Sequence, residues 1–130
     1  MSFRSSVASP TLVLLLVLMT GARAGAHAYV LTASPADGTS VPSPTEVKIR
    51  FTEGVELEFS TIVVKDGAGR VVSAEPVRQP AADTLAVDLR SAPPGAYTVE
   101  WRVLSVDTHI TDGVLRFSVA GPARDGGRPR

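Results

Sequence analysis

From residue 29 onward, apolar and polar positions alternate along the chain instead of recurring at helical spacing. Val47, Ile49 and Phe51 alternate with Lys48, Arg50 and Thr52; Leu85, Val87 and Leu89 with Ala86, Asp88 and Arg90; Leu115, Phe117 and Val119 with Arg116 and Ser118. A period of two places successive side chains on opposite faces and predicts half-buried strands. Further strands are predicted at 29–34, 61–66, 70–75 and 96–106. Turn signals separate them: Pro35-Ala36-Asp37-Gly38, Pro42-Ser43-Pro44, Asp66-Gly67-Ala68-Gly69, Pro93-Pro94-Gly95 and Asp112-Gly113. Seven short strands joined by Pro/Gly turns in about 95 residues read as an all-β, Ig-like sandwich or Greek-key barrel. Trp101, the sole tryptophan, shares parity with Tyr97, Val99 and Val103 and is expected between the sheets.

The chain before residue 27 follows different rules. Met1 to Ser9 carries Arg4 and no acid, Thr11 to Thr20 is nearly all apolar, and Gly21 to Ala26 is small. This is the pattern of an export signal, and its apolar run is shorter than the roughly 20 residues of a membrane-spanning helix. Ala24-Gly25-Ala26 is a small-x-small cleavage sequence that would leave His27 as the first mature residue. Cleavage after Ala24 would instead leave Gly25-Ala26-His27. The expected organisation is a signal peptide at 1–26, one β domain at 27–120 and a disordered tail at 121–130, which has nothing to bury.

Composition narrows the chemistry. Of thirteen Lys and Arg, Arg4 and Arg23 fall in the leader, so the mature domain is slightly acidic, with no basic cluster for nucleic acid. There is no cysteine, and both methionines, Met1 and Met19, lie in the leader. The mature domain therefore has no disulfide to brace it and no soft sulfur ligand of the kind Cu(I) prefers.

Only two histidines occur. His27 stands at the expected mature terminus and His109 in Ser105-Val106-Asp107-Thr108-His109. A terminal histidine offers an amine and an imidazole to one ion, and Asp107 with His109 could complete a square of nitrogen and oxygen donors, a Cu(II) set by donor type. Residues two apart on an extended strand point the same way, so Asp107 and His109 face one ion if the backbone stays extended past Val106. Polar residues replace the Val99-Trp101-Val103 series from Ser105 onward, so the strand is expected to leave the core there. Zinc is the competing ion, favouring a tetrahedral site.

His27 at the predicted terminus, Ser34-Pro35-Ala36-Asp37-Gly38, the strand Val47-Lys48-Ile49-Arg50-Phe51-Thr52-Glu53 and the late Asp107-Thr108-His109 together resemble the CopC-type periplasmic copper-resistance proteins. The resemblance implies a seven-stranded Greek-key β-barrel that binds one Cu(II) through the amine and imidazole of His27, with His109 and Asp107. Glu53 matches a carboxylate near the metal in some members; an acid after an edge strand is otherwise simply solvated. Two departures stand out: Thr108 and Ile110 replace the family's common glycine and proline, and its methionine-rich Cu(I) site is absent.

The resemblance implies a monomeric carrier or sequestering protein of the periplasm or cell exterior, acting in copper homeostasis with a membrane copper importer as recipient. Two other classes remain: a copper-dependent oxidative enzyme, since lytic polysaccharide monooxygenases also use an N-terminal histidine, and an Ig-like adhesion module whose histidines are incidental. Small size, a carboxylate in the coordination set and an expected lack of exposed aromatics for a sugar surface weigh against the enzyme. No Ser-His-Asp set, phosphate loop or carboxylate dyad supports other catalysis.

Overall fold

A computed structural model describes residues 28–122. The expected leader at 1–26, His27 and most of the expected tail lie outside the described residues. Eight strands form: β1 (Val30–Ser34), β2 (Ser40–Val41), β3 (Glu46–Phe51), β4 (Thr61–Asp66), β5 (Ser73–Ala81), β6 (Thr84–Leu89), β7 (Gly95–Leu104) and β8 (Ile110–Val119). They make two four-stranded sheets, ordered β1-β3-β6-β5 and β2-β8-β7-β4. Among the described residues no helix is long and apolar enough to cross a membrane.

The all-β sandwich is as the alternation predicts. Val47, Ile49, Phe51, Leu85, Val87, Val99 and Val103 are sealed in one core with Tyr97, Trp101, Phe117 and Val119. Burying each large apolar side chain contributes about 1.5–3 kcal/mol. Ala86 is buried although its parity points it outward. Its cross-strand neighbours are Lys48 and Arg78, whose long aliphatic stems can cover so small a side chain.

Three expectations need correction. There is an eighth strand, β2, only two residues long and paired in parallel with the end of β8, too short for any period to register. The fifth strand begins and ends later than the predicted 70–75. It carries Pro76 and Pro80, which a sheet edge tolerates because the missing N–H groups face no partner. Asp112-Gly113 is no turn but lies within β8, where Gly113 pairs with Trp101. A Cβ on Gly113 would stand 2.6 Å from Trp101 Cζ2, so the glycine is the space the indole occupies. Trp101 also meets Phe51 edge to face at 5.4 Å.

Antiparallel pairing of β7 with β8 and of β3 with β1 brings four chain segments to one end of the sandwich. These are the start of β1, the end of β3, the end of β7 and the start of β8. The Asp-x-His segment lies in the β7–β8 connection at that end.

Candidate metal centre

The Asp-x-His segment does not remain extended. β7 ends at Leu104, and Thr108 has φ 71°, a left-handed backbone that a β-branched residue seldom adopts. Ser105 N–H donates to the His109 carbonyl at 2.8 Å and Thr108 N–H to the Ser105 carbonyl at 2.9 Å, closing residues 105–109 into a tight turn. The expected mechanism of alignment, strand parity, is therefore wrong, yet the alignment itself occurs. Asp107 Oδ1 lies 3.2 Å from His109 Nδ1. Two donors each about 2.0 Å from one ion are about 2.8 Å apart at a right angle and about 3.3 Å apart at a tetrahedral angle. The observed separation matches the tetrahedral spacing and would have to close by about 0.4 Å for a right angle.

Ser105 also corrects the expectation that the chain leaves the core at this point. It is 1% exposed and keeps the inward parity of Val99, Trp101 and Val103. Its hydroxyl donates to Asp107 Oδ1 in a short hydrogen bond. That bond, first, and the His109 contacts hold the Asp107 carboxyl below the usual aspartate range, against a smaller opposing effect of desolvation. Asp107 is therefore a carboxylate at neutral pH and suited to a cation.

Two further anchors converge on this turn. Val106 N–H donates to the Gly54 carbonyl at 3.0 Å, so the residue beside Asp107 is fastened to the residue beside Glu53. Glu53 does not follow an edge strand, because β3 lies between β1 and β6. The side chain is half-buried, and its Oε1 is buried with no hydrogen-bond partner among the described residues. An unpaired buried carboxylate oxygen is costly and fits a site completed by a cation. On the other flank, Ala28 is fully buried, its carbonyl accepting from Thr111 Oγ1 at 2.7 Å. The next residue, Tyr29, donates its N–H to Thr52 Oγ1 at 3.0 Å and accepts from Thr52 N–H at 2.8 Å. Ala28 thus sits against the start of β8, one residue from His27, while Tyr29 is tied to the residue preceding Glu53.

Among the described residues Asp107 and His109 come together, but no group of three or more His, Asp or Glu forms a metal-holding cluster, Glu53 included. Sequence reasoning missed Ser105, because an inward parity shared with Val99, Trp101 and Val103 signals packing and not a polar role.

The fold and the site together define a small all-β sandwich domain with a carboxylate–imidazole pair at one end and no cysteine anywhere in the sequence, so the donors this pair can offer are oxygen and nitrogen. Comparison with known proteins makes this specific. A family model of the CopC domain matches residues 30–120. Protein YobA of Escherichia coli (strain K12) is 37% identical over 98 residues, covering 72% of this chain and 79% of YobA. Copper resistance protein C of Xanthomonas campestris pv. juglandis is 30% identical over 128 residues, covering 91% of this chain and 98% of that protein. The crystal structure of CopC from Methylosinus trichosporium OB3b superposes with a TM-score of 0.67 at 38% identity, covering 72% of this chain and 93% of that one. The chain belongs to the CopC family, and its function is related to copper.

Proposed function

We propose that this chain is an exported copper-binding protein that holds one Cu(II) ion between its N-terminus and the Asp107–His109 turn. The amine and imidazole of His27, with His109 and Asp107, supply the donors, and Glu53, next to the Gly54 that is hydrogen-bonded to Val106, is the candidate neighbouring carboxylate. The observation that carries this reading is the 3.2 Å approach of Asp107 Oδ1 to His109 Nδ1 at the end of the sandwich where Ala28 is anchored. A trans peptide separates neighbouring Cα atoms by about 3.8 Å, so the residue before Ala28 starts within reach of that end. The donors are nitrogen and oxygen only, a set that favours Cu(II) over Cu(I) and, by affinity order, over other first-row divalent ions.

The copper is cargo, bound for carriage or sequestration in the periplasm or at the cell exterior, with a membrane importer as recipient and a monomer as the working unit. A binding role suits a site whose coordination positions are filled by protein groups. Intact mass of the secreted protein, with and without Cu(II), tests the core of the reading. The expected result is a chain beginning at His27 that takes up one copper, and loss of that copper to a Cu(I) chelator after ascorbate reduction. A chain beginning at Gly25, two ions per chain, or equal retention of Cu(I) would each overturn the version stated.

A further inference from the structure

The Ser105 hydroxyl stands at the centre of the turn, and among the described residues its hydrogen bonds all stay within that turn. Its Oγ lies within hydrogen-bond distance of three groups: Asp107 Oδ1, the His109 carbonyl at 3.0 Å and the His109 N–H at 3.2 Å. A hydroxyl has one proton to give. The His109 carbonyl already receives the Ser105 N–H at 2.8 Å, and an ionised carboxylate is the stronger acceptor. The proton therefore goes to Asp107, and the same oxygen accepts from His109 N–H. The resulting chain runs from the His109 backbone through Ser105 Oγ to the Asp107 carboxylate. It ties together the two residues proposed as ligands through a side chain that is itself 1% exposed and cannot swing away.

We propose that Ser105 is a positioning residue of the metal site: its hydroxyl fixes the Asp107 carboxylate against the His109 imidazole before the ion arrives. This rests on the reading of Asp107 and His109 as copper ligands. The strained φ of Thr108 gives the hydroxyl its task. A turn held in a sparsely populated conformation relaxes unless its surroundings over-determine it, and the Ser105 bonds are what bridge it.

A double-mutant cycle on the full mature protein, read by Cu(II) competition and Cu(II) EPR, tests the proposal. Ser105→Ala should weaken Cu(II) binding about tenfold, in the range of outer ligand-orienting groups, and shift the EPR parameters. In an Asp107→Ala background the same substitution should change affinity less than about twofold, because the group it positions is gone. Ser105→Thr, which restores the hydroxyl, should recover the parent EPR signature. Thermal melts of the metal-free variants establish that each one folds. If Ser105→Ala leaves affinity and EPR at parent values, or if its effect is undiminished in the Asp107→Ala background, Ser105 is only a packing residue and the proposal fails. If Asp107→Ala and His109→Ala both bind as the parent does, the ligand reading itself has failed, which is a separate and recognisable outcome.

Discussion

Two aspartates, Asp66 and Asp107, each close a tight turn at opposite ends of the sandwich. Asp66 Oδ1 accepts the N–H groups of Ala68 and Arg70, both at 2.9 Å, and Oδ2 accepts Arg70 Nε at 2.9 Å. The left-handed position of that turn is Gly69, φ 79°, where such a backbone carries no steric penalty. Asp107 takes one side-chain hydroxyl and faces an imidazole, and the left-handed position of its turn is Thr108. Both carboxyls lie below the usual aspartate range, Asp66 mainly through the Arg70 backbone N–H and Asp107 mainly through the Ser105 hydroxyl. The difference is in the partner. A guanidinium keeps its protons and has no lone pair to share, so Asp66 is spent on its own turn. An imidazole can give up a proton and turn a lone pair to a metal, so the second pairing can open into a site. One turn is optimised for itself; the other keeps strain and an exchangeable partner.

The largest test of that contrast is ligand removal at the two ends. His109→Ala should lower Cu(II) affinity on the order of a hundredfold or more, beyond the loss expected for an outer orienting group. Asp107→Ala should cost about tenfold, since nitrogen donors remain. Asp66→Ala should leave Cu(II) affinity unchanged and lower only the unfolding midpoint. Adding one residue before His27 should be at least as damaging as Asp107→Ala, because it moves the amine out of its chelate ring. Competition titrations against a Cu(II) chelator read all four. Equal losses at Asp66 and Asp107 would erase the distinction between the two ends.

A smaller effect lies in exchanging the left-handed residues. Gly69→Thr should destabilise the fold by about 1–2 kcal/mol, the cost of an L side chain in this backbone region. A Cβ there meets nothing within 4 Å, so crowding adds nothing to the cost. Thr108→Gly should stabilise by at most about 1 kcal/mol, since strain relief is partly offset by the entropy glycine loses on folding. Urea denaturation of the metal-free proteins measures both. Gly69→Thr proving neutral would mean that the two turns do not differ in stored strain.

The same contrast separates what alternation reveals from what it hides. Val47, Ile49 and Phe51 announce their strand because burying one face of a pleated sheet forces a period of two. The turn at Asp66 is legible for a similarly local reason: Asp-Gly-Ala-Gly contains both its cap and its left-handed glycine. Asp107-Thr108-His109 has no such local sign. Threonine does not advertise a positive φ, and Ser105, whose hydroxyl bonds Asp107 inside the turn, sits at an inward position where parity leads one to expect only packing. The edge-strand alternative for Glu53 fails because strand order is non-local, and nothing in the alternation of β3 says that it lies between β1 and β6. Asp112-Gly113 misled as a turn because the reason for the glycine is Trp101, paired with it across the sheet.

The smallest effect, and the one that best separates fold from site, is the response to pH of the metal-free protein. Glu46, Asp83, Asp66 and Asp107 all have folded carboxyls lowered from their ordinary values. Arg78 is the main cause at Glu46, Arg50 at Asp83, the Arg70 backbone at Asp66 and Ser105 at Asp107. A lowered folded pKa means that the unfolded chain binds more protons near pH 4. The stability these groups contribute is therefore present above about pH 4 and lost as pH falls through the folded values. Tyr97 has the opposite sign: burial raises its phenol, so its contribution is complete below about pH 10 and is lost as pH rises through the raised value. The unfolding midpoint of the metal-free protein should accordingly stay nearly level from pH 5 to 9 and fall outside that range. On the ligand set proposed above, copper binding obeys different groups. Protons compete for amine and imidazole donors well above the carboxylate range, so Cu(II) should be released while the fold is still on its plateau. Because a ligand stabilises only in proportion to its occupancy of the native state, the gap between copper-loaded and metal-free melting curves should close on acidification before either curve drops. Melting curves at matched pH, with and without Cu(II), provide the comparison. If the metal-free midpoint fell in step with copper release, the turn that holds the metal would also be holding the fold together, and the separation between a structural end and a binding end would be lost.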